Sequence, residues 1–575
     1  MIDVLARCVT ARKARWKMSG SSAVLPNILF PGSEERPAPD FSELRLVTGG
    51  AGRIYFPGGN DGPSLPVGPI LPRPHRKEQE ECRGGNEVEG GKEGLIRSTA
   101  GEEMVVLEGA FEMRRDARQF VHAITSLREA VGFERLIYAP GIMEPWNLAL
   151  LTYLGADITD GSLVAYRAAQ GIATLPEGDL ATRGVEWLPQ SEEELLLHNQ
   201  RMAWRELQLV RHMIEAGRLR ELVESRSTIA PWGVAALRVL DRERYAHQER
   251  GAAVVGPRFY ANSAQSLTRP EIVRWRDRVM KRWLPAPHKK VLLLIPCSAR
   301  KPYFLSKSHQ LFRETLMRVP NSETVQDLIV TSPLGAVPRE LELFYPAAQY
   351  DIPVTGHWDL EEQRMIKEMV ISSAAKGFEQ VVCHLGRGSE FVKEAVDCVE
   401  TSEGSPTSGE SLRRLEETLT GICRGYGRPA RGLDRAASLA SVARFQFGEG
   451  GDALTEGCTV SGSYPYSKIF AGSLQRGMLT PERGMISLTM EGAGRLVPKR
   501  VHWVEMEDFD LTGNLFAVGI TGADPSLRIG DEALVMRGGE LEAVGIAAMN
   551  GEEMVSMRRG EAVRIRHKRR SGRKD

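Results

Sequence analysis

The sequence predicts a multidomain α/β protein that ends in a small β-barrel. A chain of 575 residues is too long for one hydrophobic core and suggests three or four domains. Strand and helix signals alternate from Met104 and again from Lys289, which is typical of parallel sheets with crossover helices. From Arg495 onward, short alternating runs between Gly and Asp turns indicate a compact barrel instead.

Composition places the chain among soluble globular proteins, with 42% hydrophobic and 26% charged residues. Lys plus Arg and Asp plus Glu both number 75, so the total charge indicates no polyanionic partner. No apolar run approaches the roughly 20 residues of a membrane helix, and the first 18 residues contain no secretory apolar core. We therefore expect a soluble, cytoplasmic protein. Its seven cysteines are scattered without a CxxC pair, which predicts reduced thiols.

The first predicted domain spans residues 1–284 and is an α/β layer or barrel. Residues 23–31 form a predicted strand, and residues 75–101, rich in Glu, Gly and Lys, form a predicted mobile loop. The elements that indicate the layer are the strand 104–111, the helix Ala117–Val131, the strand 136–141 and the helix 145–154. Amphipathic helices follow at 192–222, 234–250 and 269–283, before Pro285 and Pro287 mark a boundary.

The second predicted domain, residues 285–400, contains the loop on which the functional prediction depends. The apolar run 291–295 predicts a buried strand, so residues 296–309, PCSARKPYFLSKSH, emerge at its carboxyl end, where open α/β sheets bind ligands. The reactive side chains of this loop are Cys297, Ser298, Lys301, Tyr303, Ser306, Lys307, Ser308 and His309. The alternative is an ordinary polar turn in which Ser306 or Ser308 caps a helix at residues 310–317.

Two further segments follow strands of the same predicted sheet. Residues 331–342, TSPLGAVPRELE, follow a strand at 327–332 and lead Arg339 and Glu340 into a predicted helix. Another predicted strand, at 380–385, ends in a Gly-rich turn. Because parallel strands share one carboxyl edge, we expect the active site at that edge.

Residues 401–494 are predicted to be a linker and a small α+β domain, and residues 495–575 the barrel with a basic tail. Between them, Tyr464, Tyr466, Lys468 and Phe470 alternate aromatic rings with a cation, which suits nucleic-acid stacking or one buried face of a strand. The basic residues of the tail are Arg564, Arg566, Lys568, Arg569, Arg570, Arg573 and Lys574. They suit phosphate contacts, and a solubilising tail is the alternative.

Three blocks of sequence resemble the archaeosine synthase family, the archaeal tRNA-modifying relatives of tRNA-guanine transglycosylase. The first block is PCS, two residues, KPY and S-x-S-H; the second is TSPLGAVPRELE running on to YDIPVTGHW at 350–358. The third combines YPYSKIF, GMLTPERG and ISLTMEG between residues 464 and 492. The resemblance covers most of the chain from about Glu103. RIGD at 528–531, Gly545 and RGEAVRIR at 559–566 are similar to a PUA domain, an RNA-binding barrel.

The resemblance implies a reduced TIM-barrel-like transglycosylase domain, a central α/β domain, a small α+β domain and a C-terminal PUA β-barrel. Residues 155–171 are similar to the transglycosylase segment with the nucleophilic aspartate, which maps to Asp157. The alternative is that Asp157 and Asp160 are turn or capping carboxylates. Transglycosylases also carry a three-cysteine zinc cluster, but residues 174–197 contain no cysteine, although His198 remains. We therefore expect neither a metal nor a cofactor.

For the activity, the resemblance implies addition of an amine to the nitrile of 7-cyano-7-deazaguanine at position 15 of the tRNA D-loop. Lysine is the expected donor, with glutamine or ammonia as alternatives, and a radical-SAM partner enzyme then cleaves the adduct. Base exchange with Asp157 as nucleophile and a noncatalytic tRNA-binding subunit are the rival functions. A homodimer is compatible with the sequence.

The implied reaction assigns tasks to the loop residues. His309 is the expected general base, because a lysine amine, with an ordinary pKa of about 10.4, must lose a proton before attack. The expected proton donors to the nitrile nitrogen are Lys301, Tyr303, Ser306 and Ser308, and a Cys297 thiolate is expected to form a thioimidate. The expected substrate ligands are Ser298, Tyr303, Arg339, Glu340 and Asp157. The expected RNA contacts are Lys468, Arg528, Arg564, Arg566, Lys568, Arg569 and Arg570.

Overall fold

A computed structural model describes residues 2–18, 20–33, 36–47, 53–56, 61–64, 97–100, 103–354, 357–430 and 432–569. The chain divides into two compact units. The amino-terminal unit comprises Met1–Ala252 with Ser556–Gly560, and the carboxy-terminal unit comprises Ala253–Val555 with Glu561–Asp575. The four domain limits expected from the sequence stay a prediction. Most of the predicted mobile loop at 75–101, and Arg570, lie outside the described residues.

The amino-terminal unit is built on an eight-stranded sheet. Its strands run in the order Asp61–Ser64, Arg53–Tyr55, Leu44–Val47, Asn27–Gly32, Ile158–Asp160, Leu136–Tyr138, Met104–Leu107 and Arg97–Ala100. The five strands from Leu44–Val47 to Met104–Leu107 are parallel, and the outer three are antiparallel. Five adjacent parallel strands, in an open order, form the parallel α/β layer that the sequence predicts.

Helices cover this sheet, and their ends follow local sequence signals. They are Ala117–Val131, Leu148–Tyr153, Ser162–Ala169, Glu192–Glu215, Leu219–Ser227, Pro231–Glu243 and Tyr245–Gly251. The helix Ala117–Val131 is as predicted, because Asp116 accepts hydrogen bonds from two first-turn amides and Gly132 ends the helix. The helix predicted over 192–222 ends at Glu215 instead, because Gly217 takes a left-handed conformation with φ 66°.

Two small antiparallel sheets complete this unit. One consists of Ile2–Cys8, Ala11–Met18 and Ser21–Leu25, and the other is the hairpin of Ile172–Leu175 with Gly178–Ala181. The strand predicted over 23–31 is therefore two strands, one in each of two sheets. The helix predicted over 234–250 is also divided, at Arg244.

The carboxy-terminal unit contains the predicted central sheet. Its strands run in the order Gly335–Pro338, Val325–Thr331, Val291–Pro296, Gln380–Cys383 and Val399–Glu400, with only the first antiparallel. The five residues from Val291 to Ile295 are completely buried, as the apolar run predicts. Helices Pro270–Lys281, Lys307–Arg318, Leu360–Ala374, Glu390–Lys393 and Gly409–Cys423 accompany the sheet. The helix expected at Arg339 is only a short 3-10 turn, Arg339–Leu341.

A helical segment and two antiparallel layers follow in the same unit. The helices are Leu433–Phe447, Asp452–Thr455 and Met490–Leu496, and the first layer is the meander of Thr459–Ser461, Ser467–Ala471, Leu474–Leu479 and Ile486–Leu488. The predicted barrel has the strand order Leu515–Phe516, Glu561–Lys568, Glu540–Ala547, Glu532–Arg537, Trp503–Met506 and Ile520–Ala523, with the helix Gly551–Ser556. One hydrophobic core joins the central sheet, the meander and barrel residues such as Leu534 and Val544. Across the described ranges, no helix is both long and apolar enough to span a membrane.

Candidate functional site at the carboxyl edge of the central sheet

The loop 297–309 leaves the carboxyl end of the strand Val291–Pro296, as predicted. The amide of Cys297 donates a hydrogen bond to the Val330 carbonyl at 3.2 Å, which ties the loop to the neighbouring strand. The loop ends where Ser306 caps the helix Lys307–Arg318, because its hydroxyl accepts a hydrogen bond from the His309 amide. The hydroxyls of Ser306 and Ser308 lie 3.2 Å apart. The capping alternative is therefore correct for Ser306, and the cap holds the reactive loop in place.

Three buried hydroxyls form a network beneath the loop. The Tyr303 hydroxyl contacts the Tyr350 hydroxyl, which lies 2.5 Å from the Thr331 hydroxyl. Burial raises the pKa of both tyrosines, so both phenols stay protonated and can donate hydrogen bonds. Tyr350 and Thr331 escaped the sequence prediction, although both lie in the second sequence block.

Lys301 lies over this network and within electrostatic range of the Cys297 thiol. Its Nζ atom is 4.0 Å from the centroid of the Tyr350 ring and 5.8 Å from that of Tyr303. Burial lowers the pKa of Lys301, although Cys297 and Asp351 act in the opposite direction. A lysine whose pKa is lowered loses its proton more readily than a solvated one, so the loop brings together a half-exposed thiol and an amine suited to proton transfer.

A completely buried carboxylate, Glu342, joins all three sequence blocks. It accepts hydrogen bonds from the Phe304 amide at 2.9 Å, from Arg339 at 3.2 Å and from the Tyr464 hydroxyl at 2.7 Å. The rings of Phe304 and Tyr464 also meet edge to face at 5.1 Å. Burial raises the pKa of Glu342, and the Arg339 guanidinium opposes that rise. Sequence reasoning missed Glu342, although its spacing of three residues from Arg339 is a signal of an ion pair.

His309 is buried and engaged by Arg339. The Arg339 guanidinium donates to His309 Nδ1 at 2.8 Å, so the geometry assigns the ring proton to Nε2. Burial and the Arg339 charge lower the pKa of His309 to about 3, which keeps the ring neutral. Nδ1 therefore has no lone pair free for a substrate while Arg339 is in place. A general-base task for His309 stays a prediction.

Two other predicted substrate ligands have local partners. Ser298 is partly exposed and donates to the Arg300 carbonyl at 2.9 Å. Glu340 accepts from Trp283 Nε1 and from Gln326, each at 2.8 Å, so both its oxygens are engaged. The geometry gives Ser298 the freer position at the edge of the sheet, and both substrate assignments stay predictions.

In the amino-terminal unit, Asp157 precedes the strand Ile158–Asp160 and so lies at the amino edge of its sheet. It is 4% exposed, and its carboxylate accepts from Arg12, from Arg128 and from the Ile137 amide at 2.9 Å. Asp160, at the carboxyl end, accepts from Tyr138, Gly141 and Ser162. Both carboxylates are saturated by protein donors, which favours the structural interpretation of Asp157.

The predicted RNA contacts divide into engaged and exposed side chains. Arg566 is engaged: with Arg483 it binds the completely buried carboxylate of Glu532, and it donates to the Leu488 carbonyl at 2.7 Å. Arg528 likewise donates to the carbonyls of Pro525 and Leu527. The exposed residues are Lys468, Arg564, Lys568 and Arg569. Arg564 and Arg569 pair with exposed or half-exposed carboxylates on the barrel surface.

The aromatic run of the third block is open to solvent beside the reactive loop. Tyr464 and Tyr466 are 43% and 48% exposed, whereas Ile469 is completely buried. The interpretation of the run as one buried face of a strand is therefore wrong.

No group of three His, Cys, Asp or Glu side chains in the described part of the chain could hold a metal.

Comparisons with known proteins show which family the chain belongs to. Two family models match: a domain of unknown function (DUF5591) over residues 272–419 and the PUA domain over residues 508–569. Archaeosine synthase subunit alpha of Methanosarcina acetivorans is 35% identical over 83% of this chain and 80% of its own. The tRNA-guanine(15) transglycosylase of Methanobrevibacter smithii is 27% identical over 64% of this chain and 54% of its own. The crystal structure of AF0587, a protein of unknown function, is 28% identical, with a TM-score of 0.42, over 51% of this chain and 99% of its own.

The first of these relatives decides the family. Its similarity extends over about four fifths of both chains, and the PUA match falls on the barrel described above. The three blocks that meet at Glu342 lie within one unit of this chain. The chain therefore belongs to the archaeosine synthase family.

Proposed function

We propose that this protein modifies tRNA in archaeosine biosynthesis by adding an amine to the nitrile of 7-cyano-7-deazaguanine at position 15 of the D-loop. The donor is lysine, which reacts through its side-chain amine and leaves an amidine-linked base. The observation that carries the proposal is the convergence of Cys297 and Lys301 over two protonated tyrosines at the edge where open α/β sheets bind ligands. Relatives named archaeosine synthase support it.

The proposed chemistry has two steps. Cys297 Sγ attacks the nitrile carbon, so a C–S bond forms, one C–N π bond breaks, and the nitrile nitrogen takes up the thiol proton. The lysine amine then attacks the thioimidate carbon, a C–N bond forms, the thiolate leaves, and the proton released by the amine returns to sulfur. The sum is amine plus nitrile giving amidine, without an oxidant or a reductant.

Proton transfer in these steps falls to Lys301. Its lowered pKa suits an amine that accepts a proton from the thiol and returns it to the nitrile nitrogen. Tyr303, Ser306 and Ser308 are further hydrogen-bond donors along the same loop. His309 serves as base only if Arg339 leaves Nδ1, so we assign it to positioning Arg339.

The PUA barrel and its exposed cations form the proposed tRNA-binding surface. Phosphate contacts weaken with salt, whereas an engaged arginine contributes to the fold instead. Arg569→Gln is therefore expected to weaken tRNA binding and to lower the slope of log affinity against log salt by about 1. Arg566→Gln is expected to lower the free energy of unfolding by about 1–3 kcal/mol, because buried Glu532 loses a donor.

Fluorescence anisotropy of labelled tRNA across a salt series, with urea unfolding of both variants, measures these two effects separately. An unchanged salt slope in Arg569→Gln would contradict its phosphate contact. Full stability of Arg566→Gln with a reduced salt slope would assign Arg566 to the RNA after all. We further propose that a radical-SAM enzyme consumes the adduct, and homodimer formation stays a prediction.

Mass spectrometry of the tRNA tests the proposed reaction directly. Incubation of this protein alone with lysine and tRNA that carries the nitrile base is expected to add the mass of one lysine to that tRNA. The matched control is tRNA with guanine at position 15, which is expected to gain nothing. No mass change on the nitrile tRNA would support a noncatalytic binding subunit, and incorporation of labelled free base would support base exchange.

A further inference from the structure

A two-stranded bridge places an exposed ion pair beside the reactive loop. The strands Phe259–Tyr260 and Tyr350–Asp351 pair in parallel, with the Ala261 amide donating to the Asp351 carbonyl at 2.8 Å. This pairing brings Arg258 Nη2 to 2.7 Å from Asp351 Oδ2. The two side chains are 64% and 34% exposed, so both can exchange partners with a ligand.

The ion pair of Arg258 and Asp351 lies close to Lys301 in the loop that follows the strand Val291–Pro296. Asp351 follows Tyr350 directly in the chain, and the Tyr350 ring lies 4.0 Å from Lys301 Nζ. The electrostatics agree with this geometry, because both members of the pair act on Lys301. Burial and the Arg258 charge lower the pKa of Lys301, whereas Cys297 and Asp351 raise it. A thiol, a carboxylate and a guanidinium therefore lie within electrostatic range of the Lys301 amine in the carboxy-terminal unit.

Stability does not account for this arrangement. An ion pair at the surface contributes about 0–1 kcal/mol to folding, and the Arg258 side chain of this pair is 64% exposed. An α-amino acid carries a carboxylate and an ammonium group on one carbon, which is the complement of an adjacent guanidinium and carboxylate. A guanidinium binds a carboxylate through two parallel hydrogen bonds, whereas an ammonium group suits a single carboxylate.

We propose that Arg258 and Asp351 are the donor-selecting residues, with Arg258 binding the α-carboxylate and Asp351 the α-ammonium group of the amino acid. This inference rests on the proposed function, because it names how that reaction selects its amine. Held by its α-carbon groups, lysine keeps its side-chain amine free to reach the carbon bound to Cys297. The pair then favours an α-amino acid over ammonia and over simple amines.

Three donors separate the two contacts. Lysine carries both α-carbon groups, 1,5-diaminopentane lacks the carboxylate, and 6-aminohexanoate lacks the α-ammonium group. Arg258→Gln is expected to raise the KM for lysine about 10- to 100-fold, as for a lost charge-assisted hydrogen bond, and to leave the KM for 1,5-diaminopentane unchanged. Asp351→Asn is expected to raise the KM for lysine similarly and to leave the KM for 6-aminohexanoate unchanged.

The matched control is Arg318→Gln, because Arg318, the last residue of the helix Lys307–Arg318, forms an ion pair of similar exposure, 52% and 33%, with Glu416 of the helix Gly409–Cys423. Its donor kinetics are expected to equal those of the wild type. An unchanged KM for lysine in Arg258→Gln, or equal losses with lysine and 1,5-diaminopentane, overturns the inference alone. Failure of the wild type to form an adduct with any of the three donors overturns the proposed function and the inference with it.

Discussion

Replacement of Cys297 by serine is expected to slow adduct formation about 10³-fold or more, while tRNA binding stays unchanged. The reason is that a serine hydroxyl holds its proton far more tightly than a thiol and cannot supply the sulfur nucleophile of a thioimidate. Cys297 is half-buried at the strand end, so the variant removes the nucleophile without opening a cavity in the core. Single-turnover mass spectrometry of the tRNA measures the rate.

Cys458→Ser is the matched control, since Cys458 is also a half-buried free thiol but contacts the backbone carbonyls of Leu454 and Glu456. Its rate is expected to match that of the wild type. A second measurement omits the amine: wild-type protein with the nitrile tRNA is expected to give a protein–tRNA adduct that Cys297→Ser cannot form. A near-normal rate in Cys297→Ser would exclude covalent catalysis and leave direct attack by the amine.

The position of the reactive loop could be predicted because its signals are local. Five consecutive apolar residues predict a buried strand, Pro296 closes it, and a cap at Ser306 fixes the start of the next helix. The helix Ala117–Val131 was predictable for the same reason, since Asp116 and Gly132 mark its ends. Parallel pairing then determines which edge of the sheet the loop occupies.

The partners of the loop residues could not be predicted, because they come from distant parts of the chain. The sequence shows that His309 is titratable. Its hydrogen bond with Arg339, thirty residues away, decides which ring nitrogen is free. Glu342 looked like one more helix carboxylate, yet Tyr464 reaches it across 122 residues. A sequence shows which groups a loop carries, whereas burial and pairing determine their protonation.

The roles of the basic residues in the barrel also could not be predicted from the sequence. Arg566 and Arg569 are three residues apart in one basic run, and the sequence offers no reason to separate them. The strand Glu561–Lys568 aims Arg566 at Glu532, a completely buried carboxylate, whereas Arg569 meets exposed Glu540. The desolvated pair supports the fold, and the solvated one can exchange its carboxylate for phosphate at little cost.

Replacement of Asp157 by asparagine is expected to lower the free energy of unfolding of the amino-terminal unit by about 3–5 kcal/mol. Arg12 and Arg128 are 3% and 2% exposed, and without the carboxylate two guanidiniums remain buried with no counter-charge from Asp157. Hydrogen exchange at the Ile137 amide, which donates to Asp157, measures the loss, and the Ile329 amide of the other unit serves as an internal reference.

The pH dependence of this stability has a defined sign. Burial raises the pKa of Asp157, but the two guanidiniums together lower it by more than burial raises it. The pKa in the folded state therefore lies below the ordinary 3.8. A depressed pKa stabilises the fold above the unfolded value of about 3.9, and this stabilisation is lost as the pH falls through the folded-state pKa. The asparagine variant is expected to lack that acid-dependent loss.

The same variant separates the two interpretations of Asp157. If the carboxylate only balances buried charge, Asp157→Asn forms the lysine adduct at the wild-type rate per folded molecule, at a temperature where the unit stays folded. Adding Arg12→Met is then expected to recover part of the lost stability, because it removes one of the two uncompensated charges. Wild-type stability with lost activity would instead make Asp157 a catalytic group, despite its position at the amino edge of the sheet.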